Sequence, residues 1–196
     1  MKKLFILFAL ALMAVGANAQ TLVASKDWTG GFEGVFPMWS WFADGQDGSV
    51  TSDADGVAIT VGTTTGELWQ PQVTILNEGL TLIENHSYVV RITAKFPSSG
   101  TLQINMGNWD GRDQYTVEVD ATGDFQVVEV GFPNYAYNAD GNGFILFQCG
   151  DFAGTTIVKS VQVFDGDPDN WTVAGDKDLL GVNWNVTDIN NITSVH

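Results

Sequence analysis

The residues best suited to chemistry in this chain are neutral hydrogen-bonding side chains spaced two apart beside a tryptophan. In the segment 87–109, SYVVRITAKFPSSGTLQINMGNW, one alternating row reads Val89, Arg91, Thr93, Lys95 and, after the break at Ser98-Ser99-Gly100, Thr101, Gln103, Asn105, with Trp109 just beyond. A face that only meets water draws mostly on Lys, Glu, Ser and Thr. Arg, Gln and Asn near an indole offer donors and acceptors together with an apolar ring face, which is what holding a neutral, polyhydroxylated ligand requires. The alternative is a decorated surface with Trp109 packed against a partner protein.

Reactive chemistry is poorly supplied. The histidines are His86, in a polar turn, and His196, and the one cysteine is Cys149. That set offers neither a His-rich zinc site nor a Cys-His nucleophile pair. A serine hydrolase would need His86 as its base, and the chain has no Gly-x-Ser-x-Gly elbow. Glycine-rich runs such as Asp140-Gly-Asn-Gly143 lack the strand-to-helix setting of a phosphate loop. Glycoside hydrolysis needs two carboxyls about 5–9.5 Å apart. Of the 23 acidic residues, Glu118 and Asp120 come nearest to a spaced pair, and alternation puts them on a solvent-facing side. Cys149 reads as a small buried hydrophobe.

The elements that position the polar row are strands. Tyr88, Val90, Ile92, Ala94 and Phe96 alternate with the row, as do Leu102, Ile104 and Met106 after the break. Read as a hairpin with Phe96 opposite Leu102, the segment leaves a three-residue loop ending on Gly100. That register sets Lys95 beside Gln103, Thr93 beside Asn105 and Arg91 beside Gly107. Similar short segments occur at 21–28, 38–42, 48–52, 57–61, 68–76, 115–119, 125–132, 143–149 and 156–164, separated by Gly, Asp, Asn and Ser clusters, with no helical period. Ten or so strands at that spacing predict an all-β chain folded as a two-sheet antiparallel β-sandwich in one domain over 20–165.

Residues 1–19, MKKLFILFALALMAVGANA, have two lysines, an apolar run and a small-residue ending. They read as a secretory signal peptide rather than a membrane span. No cysteine follows the leader that could carry a lipid, so the expected location is secreted, periplasmic or cell-surface without a lipid anchor. Loss of Lys2 and Lys3 with the leader takes the formal charge from -15 to -17. So acidic a surface repels phosphate backbones and anionic lipid, which argues against nucleic-acid partners and against membrane insertion. At 44% hydrophobic residues with twelve Phe and seven Trp, the chain can fill a core. Residues 166–196 begin with a Pro- and Asp-rich linker and are too few to bury a core of their own. They resemble the opening of the extracytoplasmic starch-binding repeats of bacterial glycan-uptake proteins, as the start of a truncated following domain would; the other reading is a tail that packs on the sandwich or is disordered.

Five pieces in order resemble the carbohydrate-binding modules with a galactose-binding-like jelly roll, the group of families four, nine and twenty-two: Phe32-Glu33-Gly34, Leu68-Trp69-Gln70-Pro71-Gln72, Glu84-Asn85-His86-Ser87-Tyr88 leading to Arg91, Phe147-Gln148-Cys149-Gly150, and the closing run Ile157 to Val163. The resemblance covers roughly 21–165. It implies a concave sheet in which Arg91, Gln103, Asn105, Gln72 and Gln148 bond sugar hydroxyls, with Trp69, Trp109 or a tryptophan of Met38-Trp39-Ser40-Trp41 at the rim. Many members also hold a structural calcium away from the cleft, using the Phe-Glu segment and an Asp of the closing strand. Lys159 stands at or beside that Asp position here and brings an ammonium in place of the ion's charge, leaving Glu33 or Asp165 as the carboxylates that could serve with backbone carbonyls.

The expected function is therefore non-catalytic binding of a polysaccharide or oligosaccharide, in company with a glycoside hydrolase or a glycan-uptake system. The rivals are a glycan-cleaving jelly roll and a structural or adhesion domain.

Overall fold

The computed structural model describes residues 20–166 as an all-β sandwich; the expected leader at 1–19 and the tail beyond Gly166 lie outside the described residues. Eleven strands are formed: β1 (Thr21–Asp27), β2 (Ser40–Trp41), β3 (Gly48–Asp53), β4 (Gly56–Val61), β5 (Gln72–Leu82), β6 (Tyr88–Lys95), β7 (Gly100–Gly107), β8 (Arg112–Val119), β9 (Gln126–Phe132), β10 (Ala139–Gln148) and β11 (Gly154–Asp165). One sheet runs β3-β4-β11-β6-β9 with β1 also on β11, and the other runs β2-β5-β10-β7-β8. All pairings are antiparallel.

The segment expected to be a hairpin is not one. β6 pairs with β9 and β11, β7 with β8 and β10, and the chain crosses from one sheet to the other through Phe96–Ser99. The alternation is as read: Tyr88, Val90, Ile92 and Ala94 point into the core, as do Leu102, Ile104 and Met106. Two such strands bury their apolar rows equally well side by side on one sheet or facing each other across a sandwich. Phe96, 2% exposed and in ring contact with Phe147 and Phe152, turns inward at the crossing and selects the second arrangement. The outward rows of β6 and β7 consequently lie on opposite surfaces, separated by the roughly 10 Å between packed sheets.

A second difference concerns the strand expected at 68–76. Residues 62–71 are loop and turn, and the strand starts at Gln72 and continues to Leu82. Gly150 holds that loop close. A Cβ there would meet the carbonyl oxygens of Glu67 and Gln70 at 2.2 and 2.3 Å, so the chain after β10 passes directly against the turn carrying Trp69.

Trp28 ties the sheets together. Its indole N–H donates to the Ile75 carbonyl at 3.1 Å, and its ring packs on Phe32 and Phe36, which pins the loop before β2. Trp28→Phe keeps most of the apolar area and strands that carbonyl. It is expected to cost about 1–3 kcal/mol, read as a lower urea midpoint at unchanged slope. An unchanged midpoint would show that the cross-sheet bond contributes nothing.

Candidate binding face

On the five-stranded sheet, Ile104, Met106, Ile145 and Phe147 face the core, so the intervening residues make the outer surface. Register fixes who is beside whom. Trp41 opposes Gln72, Gln148 opposes Gln103, and Gln103 opposes Thr116; Gln72 lies next to Gln148, one step beyond the Val73 and Phe147 pair. The neighbouring row runs Thr74, Leu146, Asn105, Gln114, with Trp39 at its β2 end accepting the Thr74 N–H through its carbonyl. A third runs Phe144, Gly107, Arg112.

Three of the expected ligand-binding residues converge at the centre. The Gln148 side-chain carbonyl accepts from the amide of Gln103 and from that of Asn105, the latter at 2.6 Å. All three residues are nearly buried, and none of their remaining polar atoms is among the sealed, unpartnered ones. One acceptor shared by two donors fixes three side chains with one set of contacts. It leaves the Gln148 amide N–H groups and the carbonyls of Gln103 and Asn105 to meet whatever lies above. Gln72, half-buried, continues the row toward Trp41.

The tryptophans stand over this floor in two groups. Trp41 and Trp69 stack in parallel with centroids 5.6 Å apart, and the Trp69 indole N–H donates to Glu67 at 3.2 Å. Trp39 meets Trp109 edge to face at 5.1 Å, and Trp109 in turn lies 4.6 Å from Phe144. Trp109 is presented by a tight turn: the Asn108 side-chain oxygen accepts the N–H groups of Asp110 and Gly111, both at 2.9 Å, and its amide donates to the Asn138 carbonyl. Gly107 is required beneath it, because a Cβ would come within 2.4 Å of the Gly111 carbonyl oxygen. The Arg112 guanidinium caps the Trp109 ring at 5.6 Å.

Arg91 does not join this face. It lies on the outer surface of the other sheet, where its guanidinium pairs with Glu129 and stacks 4.8 Å from Phe164. The expectation that placed it with Gln103 and Asn105 is corrected by the β6-to-β7 crossing. Nor do Glu33 and Asp165 meet. Glu33 follows Phe32, whose N–H bonds Ser52 near the Trp28 and Lys159 end of β1, whereas Asp165 opposes Thr21 at the other end. A seven-residue strand between them spans about 20 Å, so the two carboxylates cannot share one calcium ion. Asp165 instead bonds His86 at 2.8 Å, and among the described residues no cluster of three or more His, Cys, Asp or Glu is placed to hold a metal.

Thr74, Gln114 and Thr116 were missed as site residues by sequence reasoning, whereas the tryptophans of Met38-Trp39-Ser40-Trp41 were expected at the rim and both Trp39 and Trp41 stand there. The Trp39-x-Trp41 spacing puts both indoles on one side of a strand, so the two serve together and not as alternatives. Within the three rows there is no carboxylate and Arg112 is the only charge; Glu118, one step outside them, accepts from the Thr101 hydroxyl. Burial pushes the Cys149 thiol up to about 12, which keeps it protonated and unreactive at neutral pH.

No protein-family profile matches the chain, and no curated protein matches it in sequence. Solved structures do share its fold. The BiXyn10A carbohydrate-binding module CBM1, in its apo form, superposes with a TM-score of 0.61 at 15% identity, covering 74% of this chain and 99% of that one. The second N-terminal cellulose-binding domain of the Cellulomonas fimi β-1,4-glucanase C gives 0.57 at 15% identity, covering 76% and 97%. The CBM22-1 and GH10 modules of Clostridium thermocellum xylanase 10B, complexed with xylohexaose, give 0.53 at 12% identity, covering 76% of this chain and 29% of that one. The jelly-roll resemblance read from the sequence thus holds at the level of fold.

Proposed function

We propose that the outer face of the five-stranded sheet binds a neutral polysaccharide or oligosaccharide without cleaving it. The observation that carries this is the amide cluster of Gln103, Asn105 and Gln148 lying on one surface with four tryptophans, each 37–56% exposed, and no carboxylate within its three rows. Amides supply donors and acceptors to ring hydroxyls, while exposed indoles cover the apolar faces of the sugar. The likeness in fold to modules described as carbohydrate- or cellulose-binding supports the same reading. Gln72 extends the polar row, and Trp69 backs Trp41 at its edge.

Each hydrogen bond exchanged with water contributes about 0.5–1.5 kcal/mol, and each ring contact a similar amount beyond area burial. A handful of such contacts, less the cost of ordering the ligand, gives dissociation constants of roughly micromolar to millimolar. That strength suits retention of a chain near a partner such as a glycoside hydrolase or an uptake system. Secretion through the leader at 1–19 is part of the proposal.

Affinity electrophoresis against soluble β-glucan, xylan, mannan and starch tests it directly. The protein is expected to be retarded by at least one of these gels and to release no reducing ends from the retaining polysaccharide. Free migration in all of them would favour a structural or adhesion role, and released reducing ends would favour the hydrolase.

A further inference from the structure

Leu146 and Phe144 are 0% and 3% exposed, yet they face away from the core and belong to the outer surface of the sheet. What lies over them is the Trp39 and Trp109 pair. Trp39 comes from the β2 edge, Trp109 from the β7–β8 turn, and the two rings touch above β10, with Trp109 resting on Phe144. The indoles themselves are 41% and 56% exposed, so they form an outer layer over a dry floor. In that floor, opposite Leu146, lies Thr74, 2% exposed, with its hydroxyl sealed from solvent and bonded to nothing. A buried hydroxyl without a partner is destabilising, and valine would fill the same space without that cost.

We propose that Trp39 and Trp109 are a roof over a second glycan subsite, floored by Phe144, Leu146 and Thr74, which a pyranose ring enters by parting the two indoles. The subsite deepens the glycan-binding reading and rests on it. The ring exchanges an indole–indole contact for indole–sugar contact above and the apolar floor below, and one of its hydroxyls meets Thr74 Oγ1. Asn105, which opposes Leu146 in the same row, joins the subsite to the amide cluster. The closed roof lowers apparent affinity by the fraction of molecules in which it is shut.

The test uses the full chain and the polysaccharide that retards it most. Thr74→Val is expected to melt higher than wild type and to bind roughly three- to tenfold more weakly, the worth of one hydrogen bond. Thr74→Ser, which restores the hydroxyl and lacks only the methyl, is expected to recover binding while melting lower. Because Oγ1 is sealed in the unliganded protein, loss of affinity on removing it, recovered by serine, reports an opened roof. Wild-type affinity in Thr74→Val overturns the subsite and leaves glycan binding standing. So does a lower melting temperature in that variant, which would mean the hydroxyl already has a partner. If the wild-type protein is retarded by no glycan, the binding reading itself fails, visibly before any variant is made, and the subsite falls with it.

Discussion

Gln148→Leu is expected to cost the fold about 2–4 kcal/mol and to abolish retardation by glycan. Leucine ends one atom short of glutamine's amide and has no acceptor. The amide groups of Gln103 and Asn105, which both donate to the Gln148 carbonyl, are left in a surface where their residues are 5% and 3% exposed. A buried donor stripped of its acceptor costs about 1–3 kcal/mol, and here one substitution strands two. The same change removes the central polar group of the row and frees its neighbours to rotate, so the preorganisation that holds a ligand is lost with it. Urea denaturation followed by tryptophan fluorescence gives the first quantity and affinity electrophoresis the second. A variant with the wild-type midpoint would show that both amides reach water unaided, and the shared acceptor would then have no structural role.

Arg91→Ala is expected to separate stability from binding. The guanidinium has a side chain 25% exposed, against 2% for Glu129, and it also lies over the Phe164 ring. Its removal takes a positive charge away from a buried carboxylate and uncovers an aromatic ring, an expected loss of about 1–3 kcal/mol. Binding should be unchanged, because the whole thickness of the sandwich separates Arg91 from the amide cluster. Trp109→Ala makes the opposite contrast, weakening glycan binding roughly tenfold through the lost ring contact and its area. Calorimetric melting and the glycan gels report the two effects side by side. Should Arg91→Ala migrate freely where wild type is retarded, the ligand lies on the other sheet and the face assigned here is wrong.

The fate of Arg91 shows where legibility ended. Alternation in 88–107 says which side chains point between the sheets, and Tyr88, Val90, Ile92, Ala94, Leu102, Ile104 and Met106 do so as read, although Val89 in the outward row is buried as well. It carries nothing about which strand lies next to which. Of the strand pairings in the two sheets, β3 with β4 and β7 with β8 alone join sequence neighbours, while β11 collects β1, β4 and β6 from far along the chain. Trp109 was legible as exposed because Asn108 and Asp110-Gly111 frame it as a turn.

By itself the sequence determined that the chain makes short alternating strands, buries its aliphatic rows in a sandwich, and reserves Gln103, Asn105 and Gln148 for the water side of their strands. Those follow from local stereochemistry, since a pleated strand turns successive side chains to opposite sides and burial sorts them by polarity. Only the tertiary structure decided that these three amides share one sheet, that Arg91 lies across the core from them, and that Trp39 reaches Trp109 over β10. Those depend on strand order and register, which are set by how whole faces fit together and not by any window of neighbouring residues.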